Sequence, residues 1–242
     1  SPFLFALFID SIVDRVKESD VGCYIRNVFC GLFLYADDIL LLSPTVHGLQ
    51  VMLNVCEHFL TEIGMSINVK KSACIRFGPR CNVKCAEIVS ALGGSIQWVN
   101  SCRYLGIFMV SGRTFRCSFD NAKSRFFRAF NAIYSKVGRL ASEEVILSLL
   151  RTKCLPILLY ATEACPLLVR TKHSFEFALT RVFMKIFRTS SSPIVKDCQH
   201  YFNILPVQSQ LMIRTAMFLQ KFSASLNSMC AVFSLNARCQ LN

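Results

Sequence analysis

Helices mixed with short strands over residues 1–112, then helices alone over 113–242, make α+β the fold class that this 242-residue sequence predicts. Three observations carry the prediction. Apolar residues recur at three- and four-residue spacing from Phe5 to Val16 and again from Leu49 to Ile63, the period of helices with one buried face. Short runs of Leu, Phe, Tyr, Ile and Val, as in residues 31–43, are bounded by polar or glycine breaks, which is the pattern of strands. Beyond Gly112 the strand runs give way to long helical patterns carrying Arg and Lys, and the domain boundary is placed there.

In chain order, Phe5, Phe8, Ile9, Ile12, Val13 and Val16 form the inner face of a first helix, with Pro2 in its first turn, where a missing amide proton costs nothing. Asp10, Asp14, Arg15 and Lys17 fall on its solvated side. Residues 23–30 read as a strand leading into a hairpin over 31–43, with Asp37 and Asp38 at its tip. Ser43-Pro44-Thr45 ends that hairpin and caps a helix whose stripe is Leu49, Met52, Leu53, Cys56, Phe59, Leu60 and Ile63, and Gly64 stops it as a left-handed C-cap. Cys74–Phe77 read as a strand, 81–92 as a short helix and Ile96–Val110 as strand, with Gly106 marking a bulge or a close backbone approach. In the helical half, Asp120 reads as an N-cap ahead of a buried face of Phe126, Phe127, Phe130, Ile133, Tyr134 and Val137. A second helix starts at Ser142 with Glu143 and Glu144 in its dipole-favoured first turn. Pro156 breaks that run; later helices cover about 172–188 and, last, about 208–226.

Hydrophobic residues are 53% of the chain and charged residues 17%, a balance that raises the question of a membrane. The most apolar stretches answer against it. Residues 2–13 are too short, and 145–169 is interrupted by Arg151, Lys153, Pro156, Glu163 and Pro166, whereas a spanning helix needs about 20 mostly apolar residues. A large Phe-rich core is expected instead. The formal net charge of +12, from 27 Lys+Arg against 15 Asp+Glu, favours a polyanionic partner. The thirteen cysteines lack paired two-residue spacing, and neither Cys81 with Cys85 nor Cys198 with His200 makes a zinc pattern. No secretory signal precedes them, so reduced thiols in an intracellular protein of the nucleus or cytoplasm are expected. An opening of Ser1-Pro2-Phe3 in mid-pattern, without an initiator methionine, reads as a fragment.

The residues that do not fit a plain fold are Asp37 and Asp38, two carboxylates between two apolar runs. Side by side and ionised they repel unless a cation neutralises them, and hard oxygen ligands suit Mg²⁺ or Mn²⁺. Taken alone, such a pair is more often a turn, since Asp is a standard turn residue. The ordered series shifts that balance: a helix, then Tyr35-Ala36-Asp37-Asp38 in a hairpin, then an amphipathic helix, then Gly64, Asn68 and Lys71-Ser72, then Tyr104-Leu105-Gly106.

That series resembles the reverse transcriptase palm, specifically that of non-LTR (LINE-type) retrotransposons. The resemblance implies that residues 1–112 are the C-terminal part of a palm, an antiparallel sheet with helices on one face, and that 113–242 are a helical thumb and post-thumb region. It implies RNA-directed DNA polymerase activity on an RNA template, a DNA primer and deoxynucleoside triphosphates, with Mg²⁺ or Mn²⁺ held by Asp37 and Asp38. Tyr35 then lies beside the primer end, Lys71 near the triphosphate, and Tyr104, Leu105 and Gly106 in the primer grip. Ser1-Pro2-Phe3-Leu4-Phe5 is similar to the end of the motif that supports template and incoming nucleotide, and Leu155–Ala161 with Glu163 is similar to a stretch that follows the polymerase core. Three family features have no counterpart here: an upstream aspartate that completes the metal site, a Gln-Gly step, and the fingers. The resemblance therefore implies a fragment inactive alone, its missing N-terminal part lying in the same polyprotein. A non-catalytic nucleic-acid-binding remnant and a group II intron maturase-like protein are the alternatives.

Overall fold

A computed structural model describes residues 2–138 and 140–241, with the side chains of 2–4 left out of the description; Ser1 of the support motif lies outside the described residues. The α+β class holds, and the chain forms two compact units. One contains the residues up to Cys102 with Ser111–Thr114 and Ser225–Asn236; the other contains Arg103–Val110, Phe115–Ala224 and the residues from Ala237 onward.

In the first unit, α1 (Pro2–Glu18) buries Ile9, Ile12 and Val16, while Phe8, assigned by its spacing to the same face, is 67% exposed. Residues 23–30 are a tight hairpin and not one strand. Its arms β1 (Tyr24–Ile25) and β2 (Val28–Phe29) are joined by Arg26 and Asn27 at φ 47° and 64°. Positive φ at both central residues matches the right-handed twist of paired strands, and Asn tolerates it better than most. The predicted second hairpin follows as β3 (Leu32–Tyr35) paired antiparallel with β4 (Asp38–Leu41).

The predicted caps of α2 (Val46–Glu62) are both present. The Thr45 hydroxyl accepts from the Gly48 amide at 3.0 Å. At the other end Gly64 takes φ 73°, its amide bonds to the Thr61 carbonyl oxygen at 3.1 Å, and Met65 N donates to Leu60 O at 2.7 Å. This reciprocal pattern satisfies carbonyls that a helix end would otherwise leave unpaired. The helix is buried on two sides. Met52, Cys56, Phe59 and Leu60 pack with Ile9, Ile12, Val16 and Leu32. Leu53, flanked by Val46 and Leu49, packs with Cys74, Ile88 and Ile96, which come from β5 (Ala73–Cys74), β6 (Ile88–Val89) and β7 (Ser95–Trp98). These three strands lie in the order β5–β7–β6, with β5 parallel and β6 antiparallel to β7. Each large side chain so buried contributes about 1.5–3 kcal/mol.

The short helix expected over 81–92 is absent among the described residues, because neighbours take its backbone groups. The Arg76 guanidinium bonds to the Val83 carbonyl oxygen and to Cys85 Sγ, and Trp98 Nε1 donates to Ala86 O at 2.9 Å. The Gln50 amide pairs with both backbone groups of Val89, at 2.7 and 2.8 Å. Glu57, only 3% exposed, accepts from the Ser90 hydroxyl and, at 2.7 Å, from the Ala91 amide. This buried carboxylate was not foreseen, although it sits one turn after Leu53 on the helix face that periodicity assigns to the core.

The predicted strand from Ile96 to Val110 is broken twice by turns. After β7 come β8 (Ser101–Tyr104) and β9 (Ile107–Val110), which with β10 (Arg116–Ser118) form a sheet in the order β10–β9–β8. The N-cap of α3 (Asp120–Val137) is Phe119, with no side-chain cap bond, so Asp120 is the first helical residue and not the cap. Hydrogen bonds from Lys123 and Ser118 hold its carboxyl below the usual range. The helix buries Phe126 and Phe130 as predicted.

Ser142 precedes α4 (Glu143–Leu149), but its side chain makes no capping bond. Pro156 does not break the run. A π-helical turn over Leu150–Cys154, in which Leu155 N donates to Leu150 O, carries the helix into α5 (Leu155–Leu158), with the proline in its first turn. The remaining helices are α6 (Val169–Ile186), α7 (Ser192–Tyr201), α8 (Val207–Ser223) and α9 (Ser228–Leu241); α7 and α9 were not foreseen. Phe175, Leu179 and Phe183 of α6, with Leu158, Val195 and Val207, complete the core around Phe126 and Phe130.

Replacing Glu57 by Ala leaves the Ser90 hydroxyl and Ala91 amide without an acceptor and is expected to lower the unfolding free energy by about 2–3 kcal/mol. Urea denaturation reads this directly; a loss within the ~0.5 kcal/mol of a surface substitution would remove Glu57 as an anchor. A second prediction concerns alkali. Burial, and then the Glu57 charge, push the Cys56 thiol up to about 12, and burial with nearby Cys85 pushes Cys74 up to about 11, from an ordinary 9.0. Since the unfolded thiols ionise first, their stabilising contribution is complete below pH 9.0 and is lost as pH rises through 9.0 toward 11–12. Stability measured across that window should fall, and fall less in a Cys56→Ala, Cys74→Ala variant.

Candidate active site

The β3–β4 register pairs Leu32 with Leu41, Phe33 with Leu40, Leu34 with Ile39, and Tyr35 with Asp38. Because side chains alternate along a strand, Leu32, Leu34, Ile39 and Leu41 share one face, and these four pack into the cluster formed with α1 and α2. Tyr35 and Asp38 stand on the opposite face with Phe33 and Leu40. The two-residue turn is Ala36-Asp37, so the carboxylates are not both at the tip: Asp37 is in the turn and Asp38 is the first residue of β4. Ala36 takes φ 51°, a left-handed conformation that is unfavourable for an L-residue with a Cβ.

Tyr35, Ala36, Asp37 and Asp38 are all exposed, Tyr35 at 62%, which rules out a core role for its ring. Among the described residues neither carboxylate has a hydrogen-bond or ion-pair partner within the chain. The hairpin thus holds two uncompensated negative groups on a core-anchored support. Their hard oxygens fit Mg²⁺ or Mn²⁺ in kind, but two adjacent residues are an incomplete set of ligands. Among the described residues no three His, Cys, Asp or Glu are grouped as a metal site. Asp10, on the outer side of α1, is exposed.

Lys71 is exposed in a turn that Asn68 organises. The Lys71 amide donates to both the backbone oxygen and Oδ1 of Asn68 at 3.1 Å, and the Ser72 amide and hydroxyl donate to Asn68 O at 3.0 and 2.9 Å. The asparagine is legible in the sequence as a turn former three residues before the lysine, but its positioning of Lys71 was not foreseen.

Tyr104, Leu105 and Gly106 end β8 and form the turn into β9. Leu105 and Gly106 take φ 46° and 83°, so Gly106 belongs to a two-residue hairpin turn and not to a strand interior. What comes close to Gly106 is a side chain and not the backbone expected: a Cβ there would stand 3.1 Å from Cε1 of Tyr160. Tyr35, Asp37, Asp38 and Lys71 fall in the first unit, and Tyr104, Leu105 and Gly106 in the second.

Residues 1–109 match the family described as reverse transcriptase (RNA-dependent DNA polymerase). The chain is similar to the retrovirus-related Pol polyprotein from type-2 retrotransposable element R2DM of Drosophila melanogaster, 32% identical over 126 residues, 49% of this chain and 12% of that protein. It is 28% identical over 131 residues to the putative 115 kDa protein in type-1 retrotransposable element R1DM of the same fly, covering 51% of this chain and 12% of that protein. A third relative is the retrovirus-related Pol polyprotein from type-1 retrotransposable element R2 of Nasonia vitripennis, 28% identical over 119 residues, 44% of this chain and 11% of that protein. The matches thus span 11–12% of the length of these relatives. The resemblance read from the motifs is borne out, and no described helix is long and apolar enough to cross a membrane.

Ala36→Gly relieves the left-handed strain at the turn and is expected to raise the unfolding free energy by about 1 kcal/mol, less the extra freedom glycine gives the unfolded chain. Denaturant titration of the two proteins side by side measures it. A fall of similar size would mean that residue 36 does not hold a positive φ.

Proposed function

We propose that this chain, whose residues 1–109 belong to the reverse transcriptase (RNA-dependent DNA polymerase) family as found in non-LTR retrotransposons, supplies the metal-binding hairpin of an RNA-directed DNA polymerase. Residues 1–112 serve as the C-terminal part of the palm and 113–242 as the thumb and post-thumb region. The observation that carries the reading is the exposed, unpaired Asp37–Asp38 couple on a hairpin whose other face is anchored between two helices.

Asp37 and Asp38 would hold Mg²⁺ or Mn²⁺. Bound pairs of such ions lower the pKa of an attacking hydroxyl and neutralise the departing phosphates. The protein's own part is positional. A core-anchored hairpin fixes the carboxylates more tightly than a loop would, which matters where misplacement of about 1 Å costs a large factor in rate. Tyr35, directly across from Asp38, offers an exposed ring for the terminal base of a DNA primer. Lys71, with its backbone fixed by Asn68, places an ammonium near the triphosphate, where it balances charge and can donate a proton to pyrophosphate. Tyr104, Leu105 and Gly106 support the primer strand. The net charge of +12 draws the RNA template and its primer to the chain. Work on such substrates belongs in the nucleus or cytoplasm, with the remaining metal ligand contributed by another part of the polyprotein. The chain alone is then inactive.

The test is Asp37→Asn, made in the 242-residue chain and in a longer polyprotein that carries it. Synthesis by the longer protein should fall by more than the ~10–100-fold that loss of a group merely supporting a metal ligand costs. Salt-dependent binding of the shorter chain to nucleic acid should stay within about twofold, since phosphate contacts come from Lys and Arg. Undiminished synthesis by the variant sinks the catalytic reading, and primer extension by the unaided chain sinks its dependence on a further ligand.

A further inference from the structure

The stretch Leu155–Glu163 stood out in the sequence, and the polymerase reading leaves it without a task. Its Tyr160 hydroxyl donates to the Leu105 carbonyl oxygen at 3.1 Å. The same ring closes on Gly106 from the side, near enough that any Cβ there would have to displace it. The turn it touches needs support, because Leu105 sits at φ 46°, where a side-chain-bearing residue is disfavoured. A hydrogen bond to the Leu105 carbonyl fixes the peptide plane between Leu105 and Gly106, and with it the direction in which the turn presents Leu105, itself 36% exposed.

The residues that follow Tyr160 are themselves fixed. Ala161 turns the chain at φ 57°, and the buried Thr162 donates its hydroxyl to Leu159 O at 2.9 Å. Glu163 meets Arg214 of α8 through a two-pronged contact, Nη2 to Oε1 at 3.1 Å and Nε to Oε2 at 3.3 Å. Forked guanidinium–carboxylate pairs add geometric specificity to their energy. The ring itself remains 53% exposed, so its placement does not come from burial in the core. The Tyr160 hydroxyl thus reaches the β8–β9 turn from a segment that is anchored to α8 three residues further on.

We propose that Tyr160 is a positioning residue, bracing the Leu105–Gly106 turn in the geometry in which it meets the 3′ end of a primer. This rests on the reading of Tyr104–Gly106 as the primer-contacting turn. A tyrosine with a purely structural role would lower stability without altering which nucleic-acid end the chain prefers.

The experiment uses the 242-residue chain, its Tyr160→Phe variant and Leu105→Ala. Fluorescence anisotropy compares binding to an RNA template carrying a recessed DNA primer with binding to a blunt hybrid of equal length, and amide exchange at Gly106 is followed by NMR. In Tyr160→Phe the preference for the recessed end should fall about fivefold and Gly106 exchange should quicken by a similar factor, the scale of one neutral hydrogen bond. Exchange in the α6 core should be unchanged. Recessed-end preference that is lost in Leu105→Ala but intact in Tyr160→Phe defeats the brace alone. If the parent chain shows no such preference, or Leu105→Ala keeps it in full, the primer-contact reading fails and the brace proposal with it.

Discussion

The first unit depends on α2 being buried along two sides at once. One side, through Met52, Cys56, Phe59 and Leu60, receives α1 and the inner face of the Asp-Asp hairpin; the other, through Leu53, receives the β5–β7–β6 sheet. Because strand side chains alternate, once Leu32, Leu34, Ile39 and Leu41 are committed to the core, Tyr35 and Asp38 have to face away from it. A one-residue slip of β4 would turn Asp38 toward the core and Ile39 and Leu41 out of it. The hydrophobic core therefore determines where the carboxylate points. The polar bonds of Gln50 and Glu57 to residues 89–91 add direction to the same packing, tying β6 to the helix through backbone groups that a two-residue strand could not otherwise satisfy.

Long-period features were legible in the sequence. The stripes of α1 and α2, the Thr45 and Gly64 caps and the apolar–polar–apolar hairpin all follow from local rules, and local geometry satisfies them. What was not legible is where distant residues outcompete local ones. Residues 81–92 have helical spacing but lose their backbone groups to Gln50, Glu57, Arg76 and Trp98, four partners scattered over almost fifty positions. Pro156 looks like a stop, yet a π turn makes room for it at the start of a short helix. The α9 helix offered little signal because among its side chains only Ala237 is buried.

The candidate site was legible as residues and only partly as geometry. Tyr35, Asp37, Asp38 and Lys71 are exposed on turns or strand ends, as side chains awaiting external partners should be. The residues that fix the backbone at Lys71 and at Leu105, Asn68 and Tyr160 respectively, are ordinary by type, and their roles come from hydrogen bonds to a nearby backbone. Such bonds leave no periodic trace in sequence.

The two-residue turns make the same point in energetic terms. The Arg26-Asn27 turn holds both of its residues at positive φ, Arg26 as well as the more tolerant Asn27, and it carries no proposed chemistry. The turns at Ala36 and Leu105 likewise place side-chain-bearing residues there, each at a cost of about 1–2 kcal/mol. A strained turn persists only when its surroundings over-determine it. At Ala36 the surroundings are the hairpin's buried face; at Leu105 they are the Tyr160 hydroxyl and ring. Strain supported in this way gives a turn one geometry, where an unstrained glycine pair would give it several. That is what the proposed primer-contacting role of the Leu105–Gly106 turn requires.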